Sequence, residues 1–270
     1  VRGCAGVSGG GMNNVVMPQP ELTGPEYFDI EAALSALAGG MPLAFPPFET
    51  VHWGGLTFCL NMARDPIQNA HRRGMFFEAE ELEALGVLMP QGAVVLDVGA
   101  NVGNHALYFA TRMAAAKVVV IEPNPLALAP LLANVVVNGL TDVIETRHLG
   151  VGLAEVAGGG FGMKRHDRNL GATKMKPGQG DLRVTTGDAI CADLAPNLIK
   201  IDVEGMEMRV LAGLEATIAR TRPLILIEVD DENAEAFTAW CAAKAYVTAR
   251  TDRHGKKNQN HLIRPKEAKK

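Results

Sequence analysis

The feature that most constrains the fold of this chain is a series of short, continuously apolar segments that alternate with helical segments from residue 93 onward. The predicted strands cover residues 93–98, 117–121, 143–149, 198–203 and 223–229, and residues 246–250 and 261–264 are expected to pair as closing strands. Strands that are apolar on both faces are typical of a parallel sheet that is covered by helices on both sides. The sequence therefore predicts an α/β fold with a doubly wound, Rossmann-like sheet.

The region before this sheet has a different pattern. Residues 1–25 are rich in glycine and are expected to be a flexible leader, whereas residues 26–90 are expected to form a lead-in of helices and a hairpin. The predicted elements are helices over residues 30–37 and 76–88 and a hairpin over residues 51–61. The main domain is expected over residues 91–265, followed by a basic tail over residues 266–270. The basic stretch over residues 256–270 is interpreted as solvated rather than as a nucleic-acid arm.

Composition excludes several classes of protein. The 270 residues are 47% hydrophobic, which argues against a disordered chain. The net charge of −4 argues against an overall basic surface that would attract nucleic acid. No apolar run approaches the ~20 residues that a membrane-spanning helix needs. The four cysteines are far apart in sequence and form no metal-binding pattern, so we expect reduced thiols and a cytoplasmic location.

A glycine-containing loop follows the first predicted strand of the sheet. Asp97 lies in that strand, and Gly99, Asn101 and Gly103 lie between it and the next helix. Glycines allow a tight turn and a close approach of the backbone to a ligand, and the free N–H groups of a helix N-terminus favour a negatively charged group. The glycines have the spacing G-x-x-x-G rather than the G-x-G-x-x-G of dinucleotide-binding proteins. A tight turn without a ligand is the alternative interpretation.

The second strand ends at Glu122, 19 residues after Gly103. A carboxylate at this position can accept hydrogen bonds from both hydroxyls of a ribose and would repel a 2′-phosphate. A surface acid at a strand end is the alternative, but it does not account for the adjacent loop. Together the two features predict a ligand that carries adenosine without requiring a pyrophosphate.

Two charged residues occur in the strand predicted over residues 198–203, which should be buried on both faces. Strand alternation places Lys200 and Asp202 on one side, and Glu204 follows at the turn. One interpretation is an internal ion pair between Lys200 and Glu228, with Asp202 as a helix cap. The other is that Asp202, with Glu204 or Lys200, faces a reacting centre.

These stretches resemble the FkbM family of S-adenosylmethionine-dependent methyltransferases. The resemblance is carried by VVLDVGANVGNHALYFA, VVVIEPNPLALAPLLANVVVNGL and NLIKIDVEGMEMRVLAGLEATIARTRPLILIEV. It implies a seven-stranded class I methyltransferase fold and O-methylation of a small molecule or sugar-containing metabolite. By position, it implies that Asp97, Gly99, Asn101 and Gly103 form the cofactor loop, that Glu122 binds the ribose, and that residues 202–204 lie where the methyl group meets its acceptor.

The expected reaction is an in-line attack of an acceptor oxygen on the methyl carbon of S-adenosylmethionine. An alcohol acceptor must lose its proton, so a nearby base is needed. Asp202 is the first candidate and Glu204 the second, with Lys200 orienting either; His105 and His166 are more remote candidates. No set of three metal ligands is recognisable in the sequence, so no metal is assigned.

The segment over residues 158–181 is too long and too rich in glycine for a plain connection, so it is expected to be a lid or substrate loop. It carries Lys164, Arg165, Arg168, Lys174 and Lys176, and an anionic acceptor is one hypothesis for their role. A solvated loop is the alternative.

Three other functions remain open at this point. A nicotinamide dehydrogenase would need the other glycine spacing. A nucleic-acid methyltransferase is disfavoured by the acidic balance and by Asp202-Val203-Glu204-Gly205 in place of the Asp/Asn-Pro-Pro-aromatic motif. A module that binds an adenosyl cofactor without turnover is the third alternative. The acceptor and the oligomeric state are not predicted.

Overall fold

The computed structural model describes residues 15–16, 28–164, 169–253 and 257–267. Most of the expected leader therefore lies outside the described residues. The same is true of Arg165, His166 and Arg168 in the glycine-rich segment and of residues 268–270 in the basic tail.

Strands and helices alternate along most of the described chain. The strands are β1 (Val15–Val16), β2 (Leu43–Ala44), β3 (Glu49–Trp53), β4 (Leu56–Leu60), β5 (Val94–Val98), β6 (Lys117–Ile121), β7 (Ile144–Glu145), β8 (Gly152–Leu153), β9 (Gly158–Lys164), β10 (Lys174–Pro177), β11 (Leu182–Thr185), β12 (Leu198–Ile201), β13 (Leu224–Asp230), β14 (Tyr246–Asp252) and β15 (Asn258–Pro265). The helices are α1 (Ile30–Ala38), α2 (Pro66–Arg72), α3 (Ala79–Gly86), α4 (Asn104–Thr111), α5 (Pro125–Val137), α6 (Gly187–Ile190), α7 (Glu207–Gly213), α8 (Glu215–Thr221) and α9 (Ala234–Ala243).

Within the described residues, seven strands form the central sheet in the order β14-β15-β13-β12-β5-β6-β7. The strands from β13 to β7 run parallel, whereas β15 pairs antiparallel with both β13 and β14. The chain passes from β5 to β6 on one side and later enters β12 on the other, so the strand order reverses between β5 and β12. Open α/β sheets bind ligands at such a reversal. The predicted doubly wound sheet and its closing strand pair are confirmed.

Both faces of the sheet are covered, as the continuous apolar strands predict. Val95 and Leu96 are neighbours on β5 and point to opposite faces. Val95 packs in a core with Leu107 of α4 and Leu131 of α5, whereas Leu96 packs in a second core with Leu211 of α7. Each core residue named here is at most 1% exposed.

The N-terminal extension packs against the same face as α4 and α5. Apolar side chains of the β3–β4 hairpin and of α3, including Phe58, Leu82 and Leu85, belong to the core of that face. Asn134 of α5 fixes the hairpin, because its Oδ1 accepts a hydrogen bond from Cys59 N at 2.6 Å while its Nδ2 donates to the oxygen of Val102 at 2.8 Å. One buried side chain thus connects the hairpin to the loop after β5.

The helix expected over residues 76–88 begins later than predicted. Helix α3 starts at Ala79 because Glu78 has a φ of +58°, in the left-handed region, and an α-helix cannot extend through it.

Helix α5 continues through Pro130, which lies in its interior. It begins at Pro125, with Asn124 as its N-cap. Proline has no N–H to donate to the oxygen of the residue four positions earlier, which here is Leu126. That oxygen accepts a hydrogen bond from Asn61 Nδ2 at 2.8 Å instead. The extension therefore satisfies the group that proline leaves without a partner.

The described part of the glycine-rich segment over residues 158–181 consists largely of β-structure. It contains β9 and β10, which join β11 and β8 in a four-stranded sheet of order β10-β9-β11-β8. Its glycines permit close packing of the chain: a Cβ atom on Gly162 would lie 2.2 Å from the oxygen of Gln179. Whether the segment acts as a lid stays a prediction.

Two strands are shorter than predicted. The third strand pairs with β6 only over Ile144–Glu145, followed by an isolated bridge between Glu122 and Leu149. Strand β12 ends at Ile201, so Asp202 lies just beyond it.

In the described part of the chain, every helix is too short or too polar to cross a membrane.

Candidate active site

The loop between β5 and α4 turns against the end of β12. Gly99 has a φ of +78°, and a Cβ atom on it would lie 1.8 Å from the backbone oxygen of Asp202. Gly103, with a φ of +89°, comes directly before α4. An L side chain at position 99 would have both an unfavourable backbone and no space. The glycine predicted for this loop is therefore required by the contact between β5 and β12.

Glu122 lies at the end of β6 with only 6% of its surface exposed. Its Oε2 accepts a hydrogen bond from Asn101 N at 2.7 Å, and its Oε1 accepts one from Asn124 N at 2.7 Å. Burial raises the pKa of Glu122 to about 7, although the two backbone donors act in the opposite direction. A carboxylate oxygen has about two acceptor positions, so each oxygen can still accept one more hydrogen bond.

A cavity of about 520 Å³ lies over the carboxyl ends of β5, β6 and β12. The predicted site residues that line it are Gly99, Asn101, Glu122, Asp202 and Glu204. The three other predicted residues, Asp97, Gly103 and Lys200, lie outside its lining. The cavity thus brings together both ends of the predicted site, the glycine loop and the end of β12.

Asp97 and Lys200 form a buried support for this cavity. Asp97 is completely buried and Lys200 is 4% exposed. The Lys200 Nζ donates to the oxygen of Gly99 at 2.7 Å and lies 3.4 Å from Asp97 Oδ1 and 3.5 Å from Asp202 Oδ2. Burial opposes the charged ammonium, but the carboxylates of Asp202 and Asp97 outweigh it and hold the pKa of Lys200 above its usual range.

The ion pair that the sequence suggested between Lys200 and Glu228 is replaced by pairs with Asp97 and Asp202. Asp202 does not cap a helix either, because α7 begins at Glu207, after Met206. The interpretation of Asp202 as a helix cap beside a Lys200–Glu228 ion pair is therefore wrong, and Asp202 lines the larger cavity instead.

Three carboxyl groups meet at the end of β12 and β13. Asp202, Glu204 and Glu228 each place an oxygen within 4.8 Å of the other two. Burial, and then the charge of Asp202, raises the pKa of Glu204 to about 7. Burial likewise raises the pKa of Glu228 far above its usual range, and its contact with Asp202 adds to that effect. Burial and the mutual repulsion of these carboxylates therefore favour the protonated forms of Glu204 and Glu228.

A lysine from the glycine-rich segment balances part of this charge. Lys174 Nζ donates to Asp230 Oδ2 at 2.8 Å and lies 3.7 Å from Glu204 Oε2. The cation of Lys174 thus faces protein carboxylates. Two of the other cations on which the anionic-acceptor hypothesis depends, Arg165 and Arg168, lie outside the described residues.

A second, smaller cavity of about 200 Å³ also has Asp202 in its lining. Its polar lining consists of Glu78, His105, Lys200, Asp202, Glu228 and Asn260. Glu78 Oε2 is 3.1 Å from His105 Nε2, and Asn260 Nδ2 donates to Glu78 Oε1 at 3.2 Å. Asp202 belongs to the lining of both cavities, so both reach this residue.

Sequence reasoning missed several residues of these two cavities. Met163, Thr173 and Met175 belong to the wall of the larger cavity, and their position in the glycine-rich segment was the available signal. Glu78 and Asn260 are 182 residues apart and had no local signal, because only the packing of the extension against β15 brings them together.

A comparison with protein families matches residues 97–255 to the model described as the methyltransferase FkbM domain. The match covers more than half of the chain and runs from Asp97 of β5 past the end of β14.

Individual proteins are similar over smaller parts of their length. AMB antimetabolite synthetase AmbE of Pseudomonas aeruginosa is 28% identical over 191 residues, covering 54% of this chain and 9% of that protein. The structure of methyltransferase FkbM from Methylobacillus flagellatus is 22% identical with a TM-score of 0.46, covering 66% of this chain and 45% of that one. The tRNA m1G37 methyltransferase of M. jannaschii is 12% identical with a TM-score of 0.47, covering 82% and 55%. The chain thus spans less than half of the first two proteins.

Proposed function

The chain belongs to the FkbM-domain family of S-adenosylmethionine-dependent methyltransferases, and from this membership we propose that it transfers a methyl group to a hydroxyl oxygen of a small molecule or a sugar-containing metabolite. Asn101, Glu122 and Asp202 are proposed to bind the cofactor and to carry the chemistry.

The observation that carries the proposal is the geometry of Glu122. Its carboxylate is held by the backbone N–H groups of Asn101 and Asn124, and Glu122 belongs to the lining of the larger cavity. Two vicinal ribose hydroxyls are suitable donors for such a carboxylate, and hydrogen bonds to a charged group contribute roughly 1.5–3 kcal/mol each. The Oδ1 of Asn101, which is buried without a hydrogen-bond partner in the described structure, is a further acceptor for the cofactor.

When bound, S-adenosylmethionine supplies a methyl group on a positively charged sulfur. In the proposed mechanism Asp202 accepts the proton of the acceptor hydroxyl, and Glu204 is the second candidate for that role. Lys200 holds Asp202 in place through the 3.5 Å contact with Oδ2. Most of the rate enhancement is expected from alignment of the acceptor oxygen with the methyl carbon.

The charges near the cavity bear on the acceptor. Asp202, Glu204 and Glu228 lie together, and Lys174 is already paired with Asp230. This arrangement favours an uncharged or cationic hydroxyl compound over an anionic one, and it disfavours the phosphates of a nucleic acid. An anionic acceptor would need cations supplied by Arg165 or Arg168.

We propose a cytoplasmic location, because cysteines that stay reduced are typical of that compartment. Among the described residues, Cys59, Cys191 and Cys241 are free and buried, and burial raises the pKa of each thiol to about 11.

Calorimetry tests the cofactor. We expect the protein to bind S-adenosylmethionine and S-adenosylhomocysteine and to ignore NAD, which would be the ligand of a dehydrogenase. A protein that binds neither adenosyl compound at millimolar concentration would overturn the proposal.

A transfer assay tests the reaction. With S-adenosylmethionine labelled in its methyl group, we expect label in hydroxyl-bearing metabolites and none in RNA. Label in RNA would favour the nucleic-acid methyltransferase instead. Cofactor binding without transfer to any of the tested acceptors would favour the non-catalytic module.

A further inference from the structure

Asp202 belongs to the lining of two cavities. It lines the cavity proposed for the cofactor, and it lines the smaller cavity together with Glu228. Its side chain is 32% exposed and contacts the buried Lys200 at 3.5 Å.

Glu228 is placed behind Asp202 by the register of the sheet. Lys200 pairs with Leu226 across β12 and β13, so the side chain of Glu228, two residues further along, points to the same face as Lys200 and lies beyond the end of β12. There one of its carboxyl oxygens lies within 4.8 Å of an oxygen of Asp202 and of an oxygen of Glu204. Two carboxylates at this distance repel each other, so the arrangement favours protonation of one of them, which can then donate a hydrogen bond to the other.

The neighbours of the pair decide which carboxyl group holds the proton. The polar groups around Glu228 are Lys200 and Asp202 on the β12 side, Glu204 in the following turn, Glu78 before α3, His105 on α4 and Asn260 on β15. The ammonium of Lys200 lies 3.5 Å from Asp202 and forms its described ion pairs with Asp97 and Asp202, not with Glu228. The negative charge is therefore stabilised on Asp202, and the proton belongs on Glu228, whose pKa is raised.

We propose that Glu228 is a positioning residue of the methyl transfer, whose protonated carboxyl group donates a hydrogen bond to Asp202 and, together with Lys200, directs the free oxygen of Asp202 toward the acceptor. This inference rests on the proposed function.

The acceptor oxygen forms a bond to the methyl carbon, the bond between that carbon and the sulfonium breaks, and its electron pair stays on sulfur as the neutral thioether. The acceptor proton moves to the free oxygen of Asp202. Glu228 keeps its own proton throughout, so the pair holds two protons after transfer and returns one to water when the product leaves.

The pair can be tested without knowing the acceptor, because S-adenosylmethionine and S-adenosylhomocysteine differ by a positive charge next to Asp202. A nearby cation favours ionisation of Glu228. In the alkaline range where Glu228 begins to ionise, binding of S-adenosylmethionine should therefore release more protons than binding of S-adenosylhomocysteine. Calorimetry in buffers of different ionisation enthalpy measures this difference.

Two variants identify the source of the proton. Glu228→Gln keeps a donor to Asp202 but has no titratable proton, so the difference between the two ligands should disappear while both still bind. Glu207→Gln is the control: Glu207 is buried nearby and accepts hydrogen bonds from Gly205 N and Asn233 Nδ2, but it lines neither cavity, so the wild-type difference should remain. An undiminished difference in Glu228→Gln would overturn the proposal.

A second measurement covers the case in which Glu228→Gln does not fold. In Asp202→Asn the neighbouring charge is gone, so Glu228 should ionise at lower pH and the pH at which the difference is largest should shift downward; an unchanged pH would overturn the proposal. A wild-type protein that binds neither ligand would instead overturn the proposed function itself, and the two failures are distinguishable.

Discussion

The Oε2 of Glu122 accepts a hydrogen bond from the backbone N–H of Asn101 at 2.7 Å, which ties the end of β6 to the glycine loop after β5. The residue proposed to hold the ribose therefore also sets the shape of the loop proposed to hold the rest of the cofactor. A change at position 122 is expected to affect both.

Glu122→Gln should weaken cofactor binding strongly. The amide removes the negative charge, and its NH₂ group must face either Asn101 N or Asn124 N, which are both donors. Loss of a hydrogen bond to a charged group costs about 1.5–3 kcal/mol, or roughly 10- to 100-fold in Kd. Calorimetric titration with S-adenosylhomocysteine measures the change.

Glu145→Gln is the matched control, because Glu145 lies on the neighbouring strand β7, pairs with Lys117 and does not line the cofactor cavity. Its Kd should stay close to that of the wild type. Equal Kd values for both variants would remove Glu122 from the cofactor site.

Cofactor affinity should depend on pH through the same residue. Burial raises the pKa of Glu122 to about 7 in the free protein, and the ionised form is the one that accepts two ribose hydroxyls. The affinity for S-adenosylhomocysteine should therefore rise as the pH rises through about 7. Glu204 also has a pKa raised to about 7. The dependence should persist in Glu204→Gln and be lost in Glu122→Gln, and the reverse result would assign it to Glu204.

The sheet was predictable because its signals are local. Strand β6 occupies the predicted residues 117–121. It could be predicted because a run of five residues with apolar or alkyl-bearing side chains is typical of a buried strand. Other features depend on distant partners. Helix α5 accommodates Pro130 only because Asn61 satisfies the oxygen of Leu126, and β9 and β10 form because glycines such as Gly162 permit close packing.

In the candidate site, too, some positions follow from local sequence signals and others depend on distant partners. Gly99 and Glu122 follow predicted strands, so their positions at one edge of the sheet follow from the topology. The role of Lys200 could not be derived from strand alternation alone. Alternation placed it beside Asp202, but its contacts with Asp97 and the oxygen of Gly99 depend on how β5 and β12 pair. Glu78 was missed because its left-handed backbone and its contact with Asn260 are set by tertiary packing.

Gly99→Ala should destabilise the protein and abolish cofactor binding. A Cβ atom at this position would lie 1.8 Å from the oxygen of Asp202. Gly55→Ala is the control: Gly55 has nearly the same φ, +79°, but no atom within 4 Å of the added Cβ. The left-handed backbone should cost about 1–2 kcal/mol in both variants. The clash should add about 1–3 kcal/mol in Gly99→Ala alone. Urea denaturation measures the difference, and equal losses would contradict the contact.

The protein should lose stability in mild acid through His71. This side chain is 1% exposed, neither ring nitrogen has a hydrogen-bond partner in the described structure, and the ring stacks on Phe58 at 4.2 Å. Burial lowers the pKa of His71 from 6.5 to about 4. The unfolded chain therefore binds the proton more readily, and stability should be full above pH 6.5 and fall as the pH decreases toward 4, by about 3 kcal/mol in total.

His71→Phe should remove most of this loss, because phenylalanine has no proton to bind and suits the aromatic cluster. His52→Phe is the control, since His52 is exposed and bonded to Thr57. Denaturation curves at several pH values would compare the variants. An unchanged acid loss in His71→Phe would assign it to another group.

Asp202→Asn should separate catalysis from cofactor binding. Asparagine keeps the shape of the side chain but cannot accept the acceptor proton, and a positioned general base typically contributes about 10²–10⁴ to the rate. The kcat for the acceptor found by the transfer assay should fall by that factor, while the Kd for S-adenosylhomocysteine should stay within about threefold. A variant that only disturbs the structure at the end of β12 would change both quantities. Asp230→Asn, which affects the Lys174 contact but neither cavity, should retain most of the activity. Chelation should leave the wild type active, since Lys200 and Lys174 already place two cations beside the carboxylates. Full turnover in Asp202→Asn would transfer the role of base to Glu204.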